Sequence, residues 1–267
     1  MLISERTAEP PHAGSQTSVH PSPLTVDPAL GVFETFLVLD GAPVELDTHL
    51  RRLRASLSEL YGLDLPGNAT EVVGAGTAGM TVARMRLQAT PDGSGGLELS
   101  VTGTEVDPEL LLPGHERALR LRSVVAGGGL GAHKWVDRGF LAESEAEYPP
   151  DTLSLLVDED GSVLEASRAN VFAFGDGVLR TPPADGRILP GTVRGEVIEL
   201  ARDAGIEARE ERLTLADLRA ASEVMVTSSI RGIEPVNELD GAALAAAERV
   251  RPLLSEAVLG RLWGAEG

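Results

Sequence analysis

Gly129-Leu130-Gly131-Ala132-His133-Lys134-Trp135-Val136-Asp137-Arg138 contains the only lysine in 267 residues. Lysine and arginine together number 23, so the other 22 cationic side chains are arginines. Arginine keeps its proton near neutral pH and cannot act as an amine nucleophile or base. Lysine can, once desolvation lowers its pKa. From composition alone, a leftover surface charge explains Lys134 equally well. Its flanks favour the chemical reading. Trp135 follows directly in a chain that is only 3% aromatic, and glycine-rich backbone precedes it. An amine beside an indole ring and close-packed backbone is placed to lose solvent.

The composition narrows what such an amine can serve. Hydrophobic residues make up 42% of the chain, enough for one large globular domain or two smaller ones. The net charge of −18 argues against nonspecific binding to nucleic acid or to an anionic membrane. An anionic substrate therefore needs local arginines to overcome the global field. The absence of cysteine excludes disulfides, thiolate metal sites and cysteine catalysis, and it fits a reducing cytoplasm. His12, His20, His49, His115 and His133 lack metal-ligand spacing, so no metal is expected. No apolar run reaches membrane-spanning length. Residues 1–26 carry Pro10, Pro11, Pro21 and Pro23 without a basic-then-apolar pattern. They read as a mobile tail and not as a signal peptide.

Downstream of the lysine, residues 138–147 read as a short helix. Residues 153–157 with 163–166, and 170–174 with 178–180, read as two hairpins, which predicts antiparallel sheet. Glu165 lies in this region beside Ser167, Arg168 and Asn170, a polar cluster that also suits an ordinary sheet edge. Gly191 opens a helix over 192–204 and leaves N–H groups free for an anion, as many helices do with nothing bound. Thr214 caps a short helix, 223–226 is a strand, and Thr227-Ser228-Ser229-Ile230-Arg231-Gly232 is a hydroxyl-rich turn. A last helix spans about 242–259.

Upstream, residues 31–39 and 42–46 form a hairpin about Asp40-Gly41. Asp47 or Thr48 caps a helix that presents Leu50, Leu53, Leu57 and Leu60, with Arg51, Arg52 and Arg54 on its other faces. Gly74-Ala75-Gly76-Thr77-Ala78-Gly79 matches G-x-G-x-x-G. That fingerprint needs a strand before it and a helix after it. Here a helix precedes and a strand (81–89) follows, so a loop is expected, and a non-catalytic nucleotide-binding protein with this stretch as its site is the distant alternative. Residues 97–102 pair with 81–89, residues 108–116 are a connector, and 118–125 is a strand.

One amine, one acid on a sheet, one helix N-terminus and one hydroxyl-rich turn make the parts list of a pyridoxal phosphate site. The chain also resembles the class IV (fold type IV) pyridoxal-phosphate enzymes over about residues 31–236. Gly31-Val-Phe-Glu-Thr35, His49-Leu-Arg-Arg-Leu53, Lys134, Glu165-Ala-Ser-Arg-Ala-Asn-Val-Phe172, Leu189-Pro-Gly-Thr-Val-Arg194 and residues 223–236 carry the resemblance. It implies an α+β chain of a small α/β domain (27–113) and a larger domain with a barrel-like antiparallel sheet (117–267), as a homodimer. It implies pyridoxal 5'-phosphate on Lys134, with Glu165 at the pyridine nitrogen. Arg52, the backbone of Thr192 and Val193, and the Ser229 hydroxyl would hold the phosphate. Pro28-Ala-Leu-Gly31 departs from the family's frequent Gly-Asp-Gly, and Val193 replaces a frequent threonine.

Among members, Lys134-Trp-Val-Asp-Arg138 looks most like 4-amino-4-deoxychorismate lyases, with Asp137 in place of asparagine. Thr35 matches a threonine that lyases use near the leaving pyruvyl group. Arg168 and Arg231 are candidates for the substrate carboxylates. The resemblance thus implies release of 4-aminobenzoate and pyruvate. The alternative is transamination of D- or branched-chain amino acids.

Overall fold

The computed structural model describes residues 25–108, 111 and 118–263. The expected tail lies outside them except for its last two residues, as do most of the connector and the boundary between the expected domains.

Strands β1 (Val32–Leu39), β2 (Ala42–Pro43), β3 (Val82–Pro91) and β4 (Leu97–Glu105) form an antiparallel sheet in the order β2-β1-β3-β4. Helices α1 (Leu46–Tyr61) and α2 (Ala69–Thr77) cover one face. Leu50, Leu53, Leu57 and Val73 meet Phe36, Val38, Met85 and Leu87 there. The period of two along β3 puts Ala83, Met85, Leu87 and Ala89 into this core. Arg84, Arg86, Gln88 and Thr90 therefore take the opposite face. The Asp40-Gly41 hairpin forms as expected, with φ of 48° and 77°, the pair of positive values a two-residue type I′ turn requires.

Two local expectations change. Glu45, and neither Asp47 nor Thr48, sits at the N-cap of α1; Thr48 Oγ1 donates to its carboxylate at 3.0 Å. The glycine-rich stretch is not a loop, because Gly74 and Gly76 lie within α2. A Cβ on Gly76 would come within 2.6 Å of Val101 Cγ1, so the glycine serves close packing of helix on sheet. With helix before it and strand after it, the stretch lacks the geometry of a dinucleotide site.

The second sheet has nine strands: β5 (Leu119–Val125), β6 (Thr152–Val157), β7 (Val163–Ala166), β8 (Asn170–Gly175), β9 (Val178–Thr181), β10 (Glu207–Glu210), β11 (Glu223–Ser228), β12 (Gly232–Leu239) and β13 (Ala242–Ala243). Their order is β10-β9-β8-β11-β12-β5-β6-β7, with β13 on β12. The two expected hairpins are present, but the sheet is mixed and not antiparallel throughout. β5 runs parallel to β6 and to β12, and β10 runs parallel to β9. Parallel neighbours need a crossover. The lysine stretch and helix α3 (Gly139–Glu145) cross from β5 to β6, and α4 (Thr192–Asp203) crosses from β9 to β10. The sheet curls around Leu121, Leu155, Val171, Val224 and Val226. Its other face packs Phe172 and Met225 against α4 and α6 (Val250–Trp263).

Thr214 caps α5 (Leu215–Ala220) through a capping box with Asp217. The last helix begins at Val250, eight residues later than expected. Asp240-Gly241 first turns the chain into β13, and α6 starts where the buried Glu223 carboxylate accepts the N–H groups of Arg249, Val250 and Arg251. That contact is 26 residues distant in sequence, so no local signal announces it.

Candidate active site

A cavity of about 560 Å³ opens where the two sheets meet at the lysine stretch. Because β2 is short, it leaves the first half of one edge of β1 unpaired, and the lysine stretch takes that place. Phe33 N–H donates to the Lys134 carbonyl at 2.9 Å, Val136 N–H donates to the Gly31 carbonyl at 3.0 Å, and Trp135 bridges to Val32. The indole packs on the small-sheet core and donates through Nε1 to the Leu130 carbonyl at 2.9 Å. His133 Nδ1 lies 3.0 Å from Ser56 Oγ on α1. The lysine is thus a tooth on a strand fixed at both ends. Its Nζ sits 5.1 Å from the Phe33 ring centroid.

Lys134 keeps partial solvent contact through the cavity, yet protein crowds its amine. Burial, and then the positive charges of Arg138 and Arg52, bring its pKa down from 10.5 to about 7, against the pull of Glu34 and Glu165. Glu165 moves the other way. It is 7% exposed, and burial lifts it from 4.5 to about 7, opposed by the Leu189 N–H and by the Lys134, Arg138 and Arg52 charges. Leu189 N–H lies 3.2 Å from both carboxylate oxygens, and Asn170 Nδ2 donates to Oε2 at 3.3 Å. Asn170 also holds the Leu189 carbonyl at 2.9 Å, so acid and entry turn to α4 are fixed together.

Arg52 reaches from α1 across to the larger sheet. Its Nε and Nη2 grip Glu34 at 2.7 and 2.6 Å, and Nη1 donates to the Pro190 carbonyl at 2.9 Å. This parks the guanidinium beside Gly191, Thr192 and Val193, where α4 begins without a side-chain cap. Thr35 and Ser229 also line the cavity, and Ser229 Oγ donates to the Thr35 carbonyl at 2.8 Å. Arg231 lies 3.6 Å from Glu234, and the exposed Arg168 lies 3.5 Å from Glu145 at the rim.

All nine residues named from the sequence line this one cavity. The sequence marks Thr227 only as one of three hydroxyls in a turn suited to oxyanion binding, and it assigns no role to Arg84, Arg86, Arg138, Glu34 or His49. Arg86 stacks on Phe33 at 3.8 Å from its centroid, and Arg138 sits at 5.7 Å with its guanidinium held by the Ser167 carbonyl. Alternation along β3 was a readable signal for Arg84 and Arg86, since both fall on the non-core face.

The donor set suits pyridoxal phosphate. A phosphate needs several N–H and O–H donors and one or more cations. The N–H groups at the start of α4 and two N–H groups on Arg52, all without a partner among the described residues, and Thr227 Oγ1 supply them. Thr227 is 2% exposed and its hydroxyl has no partner among the described residues. It shares its face of β11 with Met225, which packs on Val193, and its cross-strand partner Asn170 abuts Gly191. Thr227 lines the same cavity as Gly191, Thr192 and Val193 at the start of α4. At the other end, Glu165 offers the buried acid that a pyridine nitrogen requires.

Comparison with known proteins agrees. Residues 31–239 match the model of the amino-transferase class IV family. The chain is 33% identical over 229 residues to a Methanocaldococcus jannaschii protein provisionally named a branched-chain-amino-acid aminotransferase, covering 79% of each. It is 27% identical over 235 residues to the aminodeoxychorismate lyase of Bacillus subtilis, covering 79% of this chain and 78% of that one. A fold IV transaminase from Curtobacterium pusillum superposes with a TM-score of 0.74 at 27% identity, over 91% of this chain and 89% of that chain. Extending over most of the described fold and over Lys134, Glu165 and the hydroxyl-rich turn alike, these matches show that the chain belongs to the class IV aminotransferase family of pyridoxal-phosphate-dependent lyases and aminotransferases.

Proposed function

We propose that the chain is a 4-amino-4-deoxychorismate lyase, releasing 4-aminobenzoate and pyruvate for folate synthesis. The observation that carries this reading is the cationic wall. Arg84, Arg86, Arg138 and Arg231 line the cavity and Arg168 lies at its rim, in a chain of net charge −18. Such a concentration fits a substrate with two carboxylates better than a branched aliphatic side chain, which gains from apolar walls.

In this reading Lys134 carries the cofactor, Glu165 keeps a proton at the ring nitrogen, and Arg52, Thr192, Val193 and Ser229 hold the phosphate. Bound pyridoxal phosphate supplies the electron sink that stabilises negative charge on the amine-bearing carbon. Displaced from the cofactor by the substrate's amine, the freed Lys134 amine takes the proton from that carbon, and its burial beside Arg138 and Arg52 favours the neutral base. The arginines orient the carboxylates, with Arg168 and Arg231 as assigned from sequence and Arg86 and Arg138 added. Thr35 lies beside the departing pyruvyl group. Cleavage of the C–O bond between that group and the ring sends the electron pair to the departing enolate, which takes up one proton to become pyruvate and leaves the ring aromatic. Residues 27–113 and 117–267 as two domains, a homodimer and a cytoplasmic setting belong to the same proposal.

The test is to give the purified protein 4-amino-4-deoxychorismate without an amino acceptor. Continuous equimolar 4-aminobenzoate and pyruvate, abolished in Lys134→Ala, support the lyase. Conversion of the bound cofactor to its amine form by an amino acid, with neither product formed, overturns it for the second reading, an aminotransferase. The names of the archaeal relative and of the Curtobacterium structure favour that second reading.

A further inference from the structure

We infer that Glu34 and His49 are positioning residues that hold Arg52 ready for the cofactor's phosphate. This rests on the proposed assignment of Arg52 to that phosphate. Glu34 is 1% exposed and lies on β1, beneath the cavity wall. Its Oε1 accepts Arg52 Nε, and its Oε2 accepts both Arg52 Nη2 and His49 Nδ1, the last at 2.7 Å. Arg52 and His49 hold its carboxyl down at about 2 against the opposing effect of burial, so it is ionised at every working pH. His49, 1% exposed, is itself wedged against Phe36 with ring centroids 5.7 Å apart. Three of the five Arg52 N–H groups are thereby engaged, counting the one on the Pro190 carbonyl. The remaining two are presented at the start of α4. A long, flexible side chain is fixed before any anion arrives, which removes part of the ordering loss on binding.

Two simpler roles give different signs. If the pair only fastens α1 to β1, its loss weakens everything the fold binds. If Glu34 only offsets the charge of Arg52, its loss tightens anion binding. Positioning weakens the phosphate contact alone. The discriminating measurement compares pyridoxal 5'-phosphate with pyridoxal, which lacks the phosphate, on the full chain stripped of cofactor. Glutamine at position 34 can satisfy only one side of the Arg52 fork. In Glu34→Gln we expect the Kd for pyridoxal 5'-phosphate to rise about tenfold, the loss of one charged hydrogen bond. The Kd for pyridoxal should stay within about twofold. His49→Leu should give a smaller selective loss, restored by His49→Asn, which keeps an N–H donor near Nδ1; this pair carries the test if Glu34→Gln does not fold. Equal weakening of both ligands, or tighter pyridoxal 5'-phosphate in Glu34→Gln, overturns the inference. Arg52→Gln separates the two levels. If it leaves the pyridoxal 5'-phosphate Kd unchanged, the assignment of Arg52 fails and the inference with it. If it weakens that Kd and Glu34→Gln does not, the inference alone fails.

Discussion

Replacing Arg138 with methionine should raise the pKa of Lys134 by about one unit, and the geometry supplies the magnitude. Lys134 Nζ lies 5.1 Å and Arg138 Cζ 5.7 Å from the same Phe33 ring centroid, so the two charges are within roughly 11 Å of each other. At an effective dielectric near 20, two unit charges at that separation repel by about 1.5 kcal/mol, and 1.36 kcal/mol corresponds to one pKa unit. Water in the cavity lowers this figure and a shorter separation raises it. The sequence makes the assay unusually clean. With a single lysine, reductive methylation using ¹³C-formaldehyde places one side-chain probe in the protein, and the α-amino group resonates apart from it. Titration by NMR, on cofactor-free protein, should give a midpoint near 7 in the wild-type chain and near 8 in Arg138→Met. Methionine keeps most of the apolar contact with Phe33, so burial changes little. A wild-type midpoint near 10 would refute the claim that this site desolvates its amine. An unchanged midpoint in Arg138→Met would refute the electrostatic role of Arg138.

Lys134 and Glu165 also shape stability. Between about pH 7 and 10.5 the unfolded chain binds more protons than the folded one at Lys134, so stability rises with pH over that window. Between 4.5 and about 7 the folded chain binds more at Glu165, so stability falls as pH climbs. Denaturant titration of the cofactor-free protein should therefore show a minimum near pH 7. Lys134→Met should remove the alkaline limb and stabilise the protein at pH 7 by on the order of 2 kcal/mol; destabilisation would mean the amine is not under strain. Glu165→Gln should remove the acid limb and, in the loaded enzyme, lower turnover far more than substrate affinity, as separate kcat and KM measurements will show. Gly191→Ala puts a Cβ 2.0 Å from Asn170 Oδ1 and should destabilise the fold by roughly 1–3 kcal/mol in urea unfolding; a neutral result would show that Asn170 is free to move.

Local rules carried much of the fold. The Asp-Gly turns, the leucine stripe of α1 and the alternation of β3 need only neighbours in the chain. They failed where a distant group decided the outcome. Sequence periodicity starts the last helix too early, because its true start is fixed by Glu223, a strand residue. The sequence points to an antiparallel sheet because hairpins are visible in it and crossovers are not. In the site, Lys134 stood out by being alone and Glu165 by its polar neighbours. Arg138 follows Lys134 by only four residues, yet one arginine among 22 carries no mark of its own.

What the sequence determined by itself was chemical identity: one amine able to lose its proton, one acid, a glycine-led helix and a turn of hydroxyls. Tertiary structure alone decided how those groups act. It set the lysine stretch against β1 and brought Arg52 across from α1 to the start of α4. It also withdrew enough water to bring an amine and a carboxyl toward the same pKa from opposite sides. The physical reason is that desolvation and Coulomb interactions depend on distance in space, and a chain that folds through crossovers does not preserve distance along its sequence.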